Sequence, residues 1–120
     1  FCQDPFYCSI KTVFTIHNIA YQGQFGADEM TTTFALDPGW YNGGLAYEYQ
    51  GRHDVNLMKG AMLMADAVST VSPTYARELH TPRFGRGLEG VCDMIESKMY
   101  GMLPCCLLGK VHERSRLQTP

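Results

Sequence analysis

At 120 residues, 45% of them hydrophobic, the chain can form one domain or part of one, with ordinary material for a core. Its 10 basic and 12 acidic residues are mixed along the chain and leave a net charge of −2. No basic stripe for phosphates is present, which argues against nucleic acid as the main partner. No apolar run approaches the roughly 18 residues that span a bilayer, so no membrane partner is expected. The start, Phe1-Cys2-Gln3-Asp4, lacks the charged and apolar regions of a signal peptide and lacks an initiator Met. That start implies a chain that begins inside a longer one. Cys2, Cys8, Cys92, Cys105 and Cys106 are odd in number and form no C-x-x-C pair. A disulfide framework and a structural zinc site are therefore not expected, and a reducing compartment is. The histidines at 17, 53, 80 and 112 show no i, i+4 metal spacing.

The first regular element is a buried strand over residues 11–16, where Val13, Phe14 and Ile16 stand beside two threonines. Residues 23–26 read as a glycine-rich exit, residues 28–36 as a short helix, and residues 37–44 as irregular chain rich in turn formers. A helix is predicted over residues 54–65, capped by Asp54, with Leu57, Met58, Ala61, Met62 and Ala65 on one apolar stripe and Lys59 pointing away. Such a helix serves as the crossover that two parallel strands require. The second strand covers residues 67–71. Ser72 then occupies an N-cap position and Pro73 the first helical position of a helix reaching about Leu79, ended by the Thr81-Pro82 turn. Residues 84–90 read as a loop, 91–97 as a short helix and 99–103 as a third strand. From Pro104 onward no periodicity is defensible.

Chemistry concentrates where the first strand ends. His17, Asn18, Tyr21 and Gln22 arrive together at its carboxyl end, the position where open α/β sheets bind ligands. The two carboxamides offer donors and acceptors suited to sugar hydroxyls, and Tyr21 and Phe25 could pack on a sugar face or a base. A loop histidine with purely structural hydrogen bonds explains His17 equally well. Ser72 follows a strand and precedes a helix, but G-x-S-x-G is absent, which favours a cap over a nucleophile. Met58, Met62 and Met64 read as core filler. Glu48, Arg52, His53 and Asp54 read as a solvated surface.

Four collinear stretches resemble the bacterial glycogen synthase and plant starch synthase family. They are residues 12–23 (TVFTIHNIAYQG), 54–60 (DVNLMKG), 65–78 (ADAVSTVSPTYARE) and 81–90 (TPRFGRGLEG). The resemblance covers roughly residues 4–103. It implies an α/β fold, a partial Rossmann-like parallel sheet with flanking helices, forming the second half of the N-terminal domain of a GT-B fold. It implies that His17 is the active-site histidine beside the transferred glucose and that Asn18, Tyr21 and Gln22 line the same cleft wall. The activity it implies is transfer of glucose from ADP-glucose to the non-reducing end of an α-1,4-glucan, with retention and with no metal or other cofactor. The location would be cytoplasmic in a bacterium and plastidic in a plant or alga.

The resemblance also implies what this chain does not carry. The family's Lys-x-Gly-Gly-Leu loop, an upstream aspartate and the C-terminal domain with its cationic clamp fall outside it. Residues 1–103 would be a fragment of the N-terminal catalytic domain. Residues 104–120 would be a divergent tail, non-native or disordered, because Pro104-Cys105-Cys106 stands where the family continues Asn-Gly-Ile/Val-Asp. A shifted reading frame or a mis-predicted exon would produce that break. Two or three strands with open edges would make the isolated chain aggregation-prone, and without the clamp it would be inactive alone. The alternative is a non-catalytic product that binds glucan or a partner subunit; a hydrolase using Ser72 with His17 is the remote third reading.

Overall fold

The computed structural model describes residues 4–49 and 51–102, so the predictions for residues 104–120 lie outside the described residues. In chain order the elements are α1 (Pro5–Cys8), β1 (Val13–Ile16), β2 (Gln24–Gly26), α2 (Glu29–Thr32), β3 (Ala46–Tyr49), β4 (Arg52–Asn56), α3 (Leu57–Met64), β5 (Ala67–Thr70), α4 (Pro73–Glu78), α5 (Pro82–Gly85), α6 (Glu89–Met94) and β6 (Met99–Gly101). A wide helical turn at Tyr41–Leu45 precedes β3, and a 3₁₀ turn at Glu96–Lys98 precedes β6. These elements form two compact units: residues 20–64 are one, and the segments on either side of them are the other.

The unit made by the flanking segments is a parallel three-stranded sheet in the order β1-β5-β6 with helices beside it. Val13 pairs with Ala67 and Ile16 with Thr70; in between, the Thr15 and Ser69 hydroxyls meet at 2.8 Å. The amino end of the β1–β5 pair is stapled by Asp66. Its carboxylate accepts from the Thr12 N–H at 2.8 Å and from Lys11 Nζ at 3.2 Å. Ile16, Val68, Leu79, Leu88, Cys92 and Met99 are fully enclosed and form the core of this unit. At Gly101, β6 lies flush against the start of α4: a Cβ there would fall 2.6 Å from the Pro73 nitrogen, so no other residue fits.

Unit 20–64 is an antiparallel sheet in the order β2-β4-β3, with α2 and α3. Phe25 on β2 meets Phe34, just beyond α2, edge to face at 4.9 Å. The β3–β4 hairpin turns at Gly51, whose φ of +75° is the left-handed conformation that glycine adopts without steric cost.

Several elements differ from their sequence-based expectation. β1 is shorter than residues 11–16, and of its side chains only Ile16 is buried; Val13 is 66% exposed. The cause is position, since β1 is an outer strand of the described sheet rather than a central one. The helix predicted from Asp54 begins at Leu57, because residues 52–56 pair with both β2 and β3. Asn56, not Asp54, supplies the cap: its side-chain oxygen accepts from the Lys59 N–H at 2.9 Å. Asp54 lies within β4 with its side chain 13% exposed, facing Arg52 at 3.5 Å, whereas Glu48, Arg52 and His53 are exposed. Lys59 bends inward, its ammonium donating to the Ala46 carbonyl at 2.5 Å. Met58 and Met62 are buried, and Met64 is exposed. Residues 24–26 form a strand, and the loop expected at 84–90 shrinks to residues 86–88, since 84–85 belong to α5 and 89–90 to α6.

Candidate functional site

The carboxyl end of β1 presents two polar residues between two apolar anchors. Ile16 is 0% exposed and Ile19 is 4% exposed, while His17 and Asn18 between them are exposed. Burying both isoleucines forces the intervening pair outward. Ile16 is held by its register with Thr70, and Ile19 by its N–H, which donates to Tyr75 Oη at 3.0 Å.

The carboxyl end of β5 is equally defined. Thr70 Oγ1 donates to the Ser72 carbonyl at 2.8 Å, and Ser72 Oγ accepts from the Tyr75 N–H at 3.0 Å. Ser72 therefore caps α4, with Pro73 at the first helical position as its sequence implies. The Ser72 hydroxyl is engaged as a cap acceptor, the structural role its position between a strand and a helix implies.

In unit 20–64, Tyr21 is 81% exposed and Gln22 is 6% exposed. Gln22 Oε1 accepts from Asn56 Nδ2 at 2.8 Å and from Gln24 Nε2 at 2.9 Å. The main chain reinforces this: Leu57 donates to the Gly23 carbonyl and Met58 to the Gln22 carbonyl, each at 3.0 Å. Gln22, read from the sequence as a ligand-facing amide, has its side-chain oxygen occupied by two protein donors. Tyr21 beside it projects from a braced loop.

Two residues, each bracing a segment within its own unit, were not singled out by sequence reasoning. Asn56 immediately precedes an apolar helical stripe, which is a cap signal. Tyr75 occupies the third position after a Ser-Pro cap, within the first turn of α4. Elsewhere, His80 Nδ1 lies 2.6 Å from Asp93 Oδ1, joining the end of α4 to α6. Among the described residues no group of His, Cys, Asp and Glu is arranged to hold a metal ion, and no helix is long and apolar enough to cross a membrane.

Residues 1–94 match the family model described as the starch synthase catalytic domain. The chain belongs to the starch synthase catalytic domain family. Within that family it is 47% identical over 101 residues to the glycogen synthase of Geotalea daltonii, an alignment covering 84% of this chain and 20% of the relative. It is 41% identical over 97 residues to the glycogen synthase of Lactobacillus acidophilus, covering 81% of this chain and 20% of that one. Among solved structures it is similar to the catalytic domain of starch synthase IV from Arabidopsis thaliana bound to ADP and acarbose. That similarity has a TM-score of 0.69 at 32% identity and covers 82% of this chain and 22% of the other. The parallel sheet with its flanking helices is thus part of a GT-B starch synthase fold. The chain spans about a fifth of the length of the curated relatives it matches.

Proposed function

We propose that this chain is part of the acceptor-side domain of an ADP-glucose-dependent glucosyltransferase that extends the non-reducing end of an α-1,4-glucan. The observation that carries this reading is the exposed His17-Asn18 pair at the carboxyl end of a parallel strand, in a chain whose residues 1–94 match the starch synthase catalytic domain. That edge of a parallel sheet is where α/β folds bind their ligands. The bound ADP and acarbose of the starch synthase IV structure support nucleotide-sugar and glucan as the substrate classes.

In this reading the His17 imidazole lies against the transferred glucose and hydrogen-bonds its hydroxyls. Asn18 contacts the same sugar; Tyr21 is a further substrate contact, and Gln22 braces the loop that carries it. No metal or cofactor takes part beyond the donor itself. The departing ADP gains negative charge, and fixed cations are the natural stabiliser, commonly the largest catalytic contribution. Those cations belong to the other domain, so the chain by itself transfers no glucose. The reaction would run in the cytoplasm of a bacterial source or the plastid of a plant or algal one.

The test replaces the matching segment of the Geotalea daltonii glycogen synthase with residues 4–102 of this chain. The chimera should incorporate labelled glucose from ADP-glucose into glucan, and His17→Ala should lower that rate by about 10²-fold or more. A folded chimera with no incorporation, or one indifferent to His17→Ala, would overturn the proposal. Glucan co-sedimentation of the chain without turnover in the chimera would instead point to a binding module.

A further inference from the structure

We infer that Tyr75 is a positioning residue for His17, acting through the backbone amide of Ile19; this rests on the reading of His17 proposed above. Ile19 is buried, so its N–H requires a partner. The chain has left β1 at Ile16, and the partner is the Tyr75 phenol oxygen, 56 residues further along the sequence and 3.0 Å away.

Tyr75 is itself firmly held. Its N–H donates to Ser72 Oγ, and the Ser72 carbonyl takes both the Thr70 hydroxyl and the Ala76 N–H. Gly101 abuts Pro73 on the other side. The first turn of α4 is thereby tied to the end of β5 and packed against β6. The His17-Asn18 bend has one end tied to this frame through the Ile16–Thr70 register and the other through the Tyr75 hydroxyl. Releasing the second tie loosens the Ile19 end of the bend. A reacting group displaced by a fraction of an ångström loses rate rather than affinity.

The test is a double-substitution cycle in the chimeric synthase described above. Tyr75→Phe keeps the ring and removes only the acceptor. It should lower kcat about three- to tenfold, the scale of one hydrogen bond, while KM for ADP-glucose stays within about twofold. In the His17→Ala background the same change should cost less than about twofold, because the group it positions is gone. An equal loss in both backgrounds, or no loss in either, overturns the role of Tyr75. A His17→Ala chimera of normal rate overturns the reading of His17, and the inference with it. In the 120-residue chain, Tyr75→Phe should speed hydrogen exchange at the Ile19 amide at least about tenfold; unchanged exchange there overturns the inference whatever the kinetics show.

Discussion

The side-chain oxygen of Gln22 and the side-chain nitrogen of Asn56 meet at 2.8 Å, both buried, across 34 residues of sequence. Asn56 uses its other end to cap α3 through the Lys59 N–H. One carboxamide thus locks the loop beneath Tyr21 to the start of a helix.

Replacing Asn56 with Ala removes a donor and a cap together. Gln22 retains Gln24 as a donor, so the loss is that of one buried hydrogen bond plus one helix cap, about 2–3 kcal/mol. Urea unfolding of the chain should show a lower midpoint at unchanged slope. A midpoint equal to that of the unsubstituted chain would contradict the bracing role.

Asp66 makes stability depend on acid. Its carboxylate is held below the ordinary value of 3.8, first by the Thr12 backbone N–H and then by Lys11. A group depressed in the folded state is protonated more readily in the unfolded one, so stability rises with pH across that interval. The contribution is present above about pH 3.8 and is lost as pH falls through the lower folded value. Asp66→Asn should lower stability at neutral pH and flatten the acid limb below that value, as read from unfolding midpoints between pH 2 and 7. Parallel acid limbs for the two proteins would refute this.

The two cysteines among the described residues should separate under alkylation. Cys8 is exposed; Cys92 is buried, and desolvation with the nearby Asp93 and Glu89 charges pushes its thiol up to about 12. The thiolate is the reactive form, so iodoacetamide at pH 8 should label Cys8 and spare Cys92 until denaturant is added. Peptide mass spectrometry reads both sites in one experiment, and equal labelling without denaturant would contradict the enclosed α6 packing.

Val13 stands on an outer strand with its side chain in solvent. Exposed apolar edges template pairing with other chains, and a lysine on such an edge opposes it. Val13→Lys should therefore reduce self-association of the 120-residue chain, measured by sedimentation at matched concentration. An unchanged distribution would place the sticky surface elsewhere.

Much of the parallel unit was legible along the chain. The β5–Ser72–Pro73–α4 passage reads directly from a β-branched run, a cap and a proline, because each signal is local. The β3–β4 hairpin did not stand out. Its strands carry Glu48, Arg52, His53 and Asp54, whose charges resemble an open surface until pairing is known. The same blindness moved the helix cap from Asn56 to Asp54, since both residue types suit a cap and only the sheet register removes Asp54 from contention.

The chain's order of residues determined the parallel strands, the Ser72 cap and the polar pair at the end of β1, because backbone preference and apolar spacing act over a few neighbours. Tertiary structure alone decided that Gln22 turns inward, that β1 lies at an edge, and that Tyr75 reaches Ile19. Those outcomes depend on which distant groups approach within hydrogen-bonding distance, and no local pattern encodes a meeting of residues 34 or 56 positions apart.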